Sequence, residues 1–375
     1  GGRRRWVAPL PLWPTSDRAG MPPCLAGLDI VTIDTGSARA LGAVRDRHAH
    51  TLTAIVPVVG PQFVVEPRAE QERLLAGWGD VIGQFAVERG VVTHLCWSDL
   101  ARPSGLGDHL AWVDAASRDH DLDAPVDSYR ELVDVGTRTA ISHDVVLSLT
   151  VSRERLGRSR AGTNASADHL DRALVGAVDA LVRGLRSAGL TASDPLDAPG
   201  IQRLLRTRIE PSPSRHQTQR GRLVDRLSLV DTHSAGPLAV EAHWDHLRVD
   251  AAFHRTWWIS AWPRLAVPPA WLEGFLAASG IARTMTVVLV PVPTHQSRRR
   301  IERDLVKLDS DATTKEDQGR RIDARHHRAT QALLEREEEL VSGFPEVAYV
   351  GLVTVSAVDI DTLDEHGAIA EQLAR

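Results

Sequence analysis

Five residues between 243 and 254 are of the types that do chemistry: His243, Asp245, His246, Asp250 and His254. Imidazoles and carboxylates bind metal ions and move protons, provided that they converge on one point. This stretch reads as two strands turning near Asp250-Ala251. Positions three apart on a strand point to opposite faces, so His243 and His246 are expected to diverge. His326 and His327, with Glu337 and Glu338, fall on a charged helix. Neighbours there point about 100° apart, which suits a surface better than a site. His48 and His50 could share a strand face, but no third ligand is near them in the sequence. GxxxxGK[ST], GxSxG, HExxH and CxxC patterns are all absent. The residues therefore call for no catalytic group, no cofactor and no metal. A hydrolase assembled from distant residues, with His243, His254 or Asp250 in its site, stands as the third reading.

Arginine forms the next signal. Arg153, Arg155, Arg158 and Arg160 make one cluster, and Arg203, Arg206, Arg208, Arg215, Arg220 and Arg222 a second. Arg298, Arg299, Arg300 and Arg303 make a third, interleaved with Glu302 and Asp304. Each could touch phosphates of DNA or of an anionic lipid. A binder driven by global charge would be basic, whereas the formal net charge is −5. Lys307 and Lys315 are the only lysines, so arginine is the default cation of a GC-rich coding bias. Solvated surface is the better reading of these clusters, and a nucleic-acid-binding accessory factor is the runner-up function.

At 375 residues the chain is long enough for two or three domains. Its 43% hydrophobic and 25% charged residues are those of a globular protein. Cys24 and Cys96 are too few for a disulfide framework. No apolar run approaches the roughly 20 residues of a membrane span. Gly1-Gly2-Arg3-Arg4-Arg5 is basic, but no apolar segment of a signal peptide follows. An anchor upstream of Gly1 is left open.

Residues 1–27, with Pro9, Pro11, Pro14, Pro22 and Pro23, read as an extended Pro-rich arm. Residues 28–190 read as a first α+β module. Its strands are Leu28–Ile33, Thr51–Val58, Val91–Ser98 and His143–Val151. Its two long helices are Glu66–Arg89 and one capped by Ser166, with apolar residues at helical spacing. Ser152–Ala165 reads as a loop. Residues 191–375 read as a second module. A helix over Asp194–Arg208, capped by Asp194, leads to a hairpin of Leu238–Val249 and Phe253–Trp262. Pro268–Ala278 is expected to be a helix, and Thr284–Val292 the strongest and most central strand. Ser297–Leu308 and Gln318–Ser342 form a helical hairpin within 297–342, joined by Asp309–Asp317. A strand Ala348–Ser356 and a final helix capped by Asp361 close the chain. Both modules follow a split βαβ pattern, so the expected class is α+β with two ferredoxin-like modules.

Trp257 and Trp258 alternate faces of one strand, so ring burial explains one and a covering helix the other. In the second hairpin arm Ile322, Ala329, Leu333, Arg336 and Leu340 fall near heptad spacing. That apolar stripe is thin, and a homo-oligomer or another partner could complete it.

The order of these signals resembles the N-terminal, non-motor half of the conjugation ATPases of type IV secretion systems, the TrbE/CagE/TraC group. It is most similar to actinobacterial relatives carried by integrative conjugative elements. The resemblance rests on HLRVDAAFHRTWWISAWPR (246–264), VPPAWLEGFL (267–276), RTMTVVLVPVPTHQSRRR (283–300) and LLEREEELVSGFPEVAYVGLVTVSAVDIDTLDE (333–365). VVGPQFVVEPRAEQERLLAGWGDVIGQF (58–85) is compatible with the family's first module. These motifs are structural, and the family's P-loop half has no counterpart here. The resemblance implies a non-catalytic adaptor at the inner face of the cell membrane. It would join a P-loop conjugation ATPase, acting in trans, to inner-membrane channel subunits. On that reading the interface residues are Trp257, Trp262 and Trp271 with Ile322, Ala329, Leu333 and Leu340. Arg298, Arg299, Arg300 and Arg303 are then candidates for phosphate or lipid contact.

Overall fold

The computed structural model describes residues 4–7, 22–36, 39–60, 63–87, 90–103, 128–129, 131–133, 136, 140–159, 167–211, 236–263, 267–319, 321 and 324–374. Its strands are β1 Arg4–Val7, β2 Leu28–Ile33, β3 Leu41–Asp46, β4 Thr51–Val59, β5 Val92–Pro103 and β6 Ile141–Ser152. They continue as β7 Thr191–Ala192, β8 Ala239–Ala242, β9 Leu247–Val249, β10 Ala252–Trp258, β11 Ala282–Pro291 and β12 Val347–Ala357. The helices are α1 Arg68–Gly83, α2 Arg153–Ser159, α3 Ala167–Ser187 and α4 Ala198–Ile209. They continue as α5 Glu273–Leu276, α6 Thr294–Asp317, α7 Ala324–Val341 and α8 Ile360–Leu373.

The strands make one large antiparallel sheet in the order β1-β8-β9-β10-β12-β11-β5-β6-β4-β3-β2, with β7 against β4. In the first half of the chain, β4, β5, β6 and β7 lie as β7-β4-β6-β5, with α1 and α3 as connections. In the second half, β10, β11 and β12 lie as β10-β12-β11. The two runs meet where β5 pairs with β11, from Ala101 opposite Arg283 to Leu95 opposite Leu289. Each strand would otherwise present a long unpaired edge, and the pairing removes both. Thr284–Val292 was expected to be central, and β11 does lie inside the sheet, flanked by β12 and β5.

Alternation along the strands divides the sheet into two faces. On the first, α1 and α3 bury Val81, Ile82, Leu174, Val178, Leu181 and Leu185 against Leu52, Leu95, Leu147 and Leu149. The same face continues across β11 and β12, where Met285 and Val355 pack under α5 and α8 through Phe275, Leu363 and Ala370. Trp97 and Val287 touch both clusters, so the two cores form one layer. On the second face α4 covers only one end, where Ile201 packs with Ile55 and Val146. Its approach is close: a Cβ on Gly42 of β3 would lie 2.4 Å from the Asp197 carbonyl carbon, a separation no side chain tolerates.

Several local expectations are corrected. The segment expected as a loop over 152–165 begins with helix α2. The cap of α4 is Asp197, which accepts from Gly200 N at 2.7 Å, while Asp194 pairs with Arg39. Leu238–Val249 is not one strand but the hairpin β8–β9, folded at residues 243–246. Pro268–Ala278 holds only the four-residue α5. Asp309–Asp317 continues α6, so the first hairpin arm runs 24 residues and the turn comes later. Asp359 rather than Asp361 caps α8, accepting from Thr362 N at 2.8 Å. Within the 1–27 arm, Arg4–Val7 extends the sheet as β1 beside β8.

Candidate functional site

The second sheet face carries the candidate site. Among the described residues, only the C-terminal end of α4 reaches its half formed by β5, β11, β12 and β10. The register places Trp258 opposite Leu352, and Val350 opposite Val288, on that face. Trp258 is 66% exposed, and Val290 and Val350 are also exposed. This apolar strip ends beside the root of the α6–α7 hairpin, because α6 follows β11 and α7 precedes β12. Toward α4 the face turns polar. Ser98 and Thr286 hydroxyls lie 3.3 Å apart, and those of Thr256 and Thr354 2.8 Å apart.

The end of α4 is bound to the sheet through charge and one histidine. Arg206 pairs with Glu210 at 2.6 Å and with Asp250 at 2.8 Å. Asp250, at φ 52°, also accepts from the backbone N–H groups of Leu238 and Ala239. His254 Nε2 lies 2.9 Å from the Ile209 carbonyl and its Nδ1 2.9 Å from Ser356 Oγ. A carbonyl only accepts, so Nε2 carries the proton and Nδ1 accepts from the Ser356 hydroxyl. Burial lowers the His254 pKa, opposed by the Ile209 hydrogen bond and the Glu210 charge. Both ring nitrogens are thus engaged in joining α4 to β12. Arg208 Nη2 donates to the Asp144 carbonyl at 2.9 Å.

The tryptophans separate. Trp257 lies on the helix-covered face and donates Nε1–H to Glu371 of α8 at 3.1 Å. Trp258, expected to be buried either as core or beneath a helix, is instead exposed on the second face. Trp262 packs edge-on against Trp271 at 6.2 Å and against Tyr349 at 5.5 Å between ring centroids. Trp271 and Tyr349 are both exposed, so the trio forms a second aromatic surface on the opposite face.

In the hairpin, α6 and α7 border a groove of about 540 Å³ lined by Leu308, Ala329, Ala332 and Leu333, with Asp304, Lys307, Asp311 and Arg336 along it. Ala329 and Leu333 thus face it, whereas Leu340 is buried near the root. Ile322 lies outside the described residues. Glu346 fixes the root by accepting from Arg300 at 3.1 Å and from Arg336. Burial raises the Glu346 pKa, but the hydrogen bonds and charges of Arg336 and its neighbours outweigh it and hold the pKa low. Arg298, Arg299 and Arg303 are exposed on α6, with Arg303 Nε donating to the Arg299 carbonyl.

The histidine pairs give one surprise. His243 and His246 stack at 4.1 Å with an interplanar angle of 12°, because they flank a hairpin turn rather than sharing a strand. Stacked rings cannot both aim a nitrogen at one ion, and each has its own acidic neighbour, Glu241 and Asp245. His48 and His50 sit in the turn after β3, not on a strand face. His326 and His327 meet edge-on along α7. Among the described residues no group of three or more His, Cys, Asp or Glu could hold a metal ion. Of the Arg clusters, Arg155 donates to the Val92 carbonyl, while Arg160, Arg215, Arg220 and Arg222 lie outside the described residues. Sequence reasoning missed Arg208 as a separate group, since its place at the end of α4 against the sheet depends on pairings distant in the chain. It also missed Asp99, buried on the helix face with Oδ2 2.9 Å from His143 Nδ1.

No protein-family model matches the chain, and no curated protein matches it. Among the described residues no helix is long and apolar enough to cross a membrane.

Proposed function

We propose that this chain is a non-catalytic structural or adaptor subunit of a conjugative, type IV secretion-like DNA-transfer apparatus. In this reading it joins a separate P-loop ATPase to inner-membrane channel subunits at the cytoplasmic face. The orders β7-β4-β6-β5 and β10-β12-β11 support reading the sheet as two ferredoxin-like modules joined through β5 and β11.

The observation that carries the reading is the hairpin inserted between the paired strands β11 and β12. Helices of 24 and 18 residues extend roughly 36 and 27 Å at 1.5 Å per residue. Their shared seam is thin, and its groove is apolar with charged margins. A partner helix fits such a groove through anchors at helical spacing. The apolar strip of Trp258, Val350 and Val290 continues from the hairpin root and enlarges the docking surface. The matching experiment mixes this purified chain with the purified conjugation ATPase of the same genetic element. A stable complex lost in Leu333→Asp supports the reading, and no complex at micromolar concentrations contradicts it.

One observation favours the nucleic-acid reading instead. Arg298, Arg299 and Arg303 are exposed along the first turns of α6. If they contact DNA, affinity must fall steeply as salt rises. Binding that ignores salt between low and physiological strength excludes them.

A further inference from the structure

Beyond the docking role, the polar half of the open sheet face has the makings of a ligand site. A cavity of about 340 Å³ lies there between the sheet and the end of α4. That volume is within the roughly 300–1,000 Å³ of small-molecule pockets. Its floor carries six hydroxyl residues: Ser98, Ser148, Thr284, Thr286, Thr354 and Ser356. They come from β6, β5, β11 and β12, which lie next to one another in the sheet. Leu204 and Ile55 give it an apolar wall.

Arg208 is the one cation in the lining. Its Nη2 donates to a neutral carbonyl, that of Asp144. Its Nη1 is buried and has no hydrogen-bond partner among the described residues. A guanidinium nitrogen held out of water with its donors unfilled is costly, and an oxyanion removes that cost. The nearest carboxylate, Asp144, is shared with Arg102 at 3.4 Å. Glu210 is held by Arg206, and Asp99 belongs to the opposite face.

The geometry points to a phosphate-binding site in this cavity, with Arg208 as the cation and the strand hydroxyls other than Ser356, whose proton goes to His254, as the remaining donors. Hydroxyls suit the task because each turns to donate to whichever oxygen is nearest. Four strands at about 4.8 Å spacing spread them over roughly 14 Å, more than one phosphate spans. The surplus matches the hydroxyl groups of a sugar ester, so free phosphate and a sugar phosphate share the chemistry. Burial lowers the Arg208 pKa, and the charges of Asp144 and Asp99 offset that only in part.

Calorimetric titration of the full chain with inorganic phosphate, ribose 5-phosphate and ribose tests this. Saturable binding of a phosphate-bearing probe, and none of ribose, is expected. Tighter binding of ribose 5-phosphate assigns the site to sugar esters, and equal binding assigns it to phosphate alone. Arg208→Gln should weaken the phosphate probe about tenfold or more, the usual consequence of losing a charged donor. If that variant does not fold, the pair Thr284→Val and Thr286→Val, which leaves the cation in place, should weaken it severalfold. No saturation of the wild-type chain below about 10 mM, or unchanged affinity in the folded variants, overturns the proposal.

Discussion

Trp257 and Trp258 are adjacent in the chain and sit on opposite sides of the sheet. The first is held under α8 by its hydrogen bond to Glu371, and the second is 66% exposed opposite Leu352. Trp257→Ala should therefore cost about 2–3 kcal/mol, below the 3–5 kcal/mol of a fully buried tryptophan. Trp258→Ser should leave stability within about 0.5 kcal/mol. Urea unfolding of the two variants checks the pair. A larger loss in Trp258→Ser would mean that something covers the open face.

Gly351 is predicted to be intolerant of any side chain. A Cβ there would lie 2.4 Å from Trp262 and 2.7 Å from Ile259. Gly351→Ala should displace the Trp262 ring from Tyr349 and destabilise the fold by about 1–3 kcal/mol, the usual cost of overpacking. Trp fluorescence and the unfolding midpoint would register both effects. A variant with unchanged emission and midpoint would contradict the packing.

Arg283 is buried with its guanidinium donating to the carbonyls of Leu276, Ala278 and Ile281, over the Phe275 ring. It ties α5 and the turn after it onto β11. Arg283→Met keeps the length but leaves those carbonyls unpaired, so a loss of about 3 kcal/mol is expected. Near-native stability in this variant would show that water or another group replaces the guanidinium.

The pH dependence has a definite sign. The His254 pKa is lowered by burial in the folded chain, so the unfolded chain takes up a proton first. The His254 contribution is complete above the ordinary histidine value of 6.5 and falls as pH drops below it. His254→Gln should flatten the decline of stability as pH falls below 6.5. Glu346 adds a second loss. Its lowered pKa contributes stability above its ordinary 4.5, lost as pH falls through the folded value. Glu346→Gln should lose that acid-end dependence while leaving the histidine window intact. Denaturant titrations across pH separate the two.

Much of this fold was legible because its signals are local. The stripe Leu170, Leu174, Val178, Leu181 and Leu185 predicts α3, and the apolar, β-branched run over Thr284–Val292 predicts a central strand. Caps were misread by a few residues, since Asp194 and Asp197 are equally good candidates before the backbone is known. The joining of two runs of strands into one sheet through β5 and β11 was not legible. It depends on pairing residues almost 190 positions apart, for which the sequence of neither strand carries a mark. The stacked His243 and His246 were missed for a related reason: a tight hairpin reverses the facing rule of a continuous strand. The candidate site was legible only in part. The spacing that grouped Ala329 with Leu333 matches a groove that both line, whereas Trp258 and Arg208 acquire their meaning only from a sheet face that, among the described residues, α4 covers at one end.

The central claim is that the α6–α7 arm docks a motor protein. The most direct measurement is the dissociation constant between the full chain and a purified conjugation ATPase, for wild type and for Leu333→Asp. The account predicts a micromolar or tighter complex, weakened at least tenfold by the substitution at unchanged unfolding midpoint. A complex indifferent to Leu333→Asp, or no complex with the wild-type chain, would contradict it.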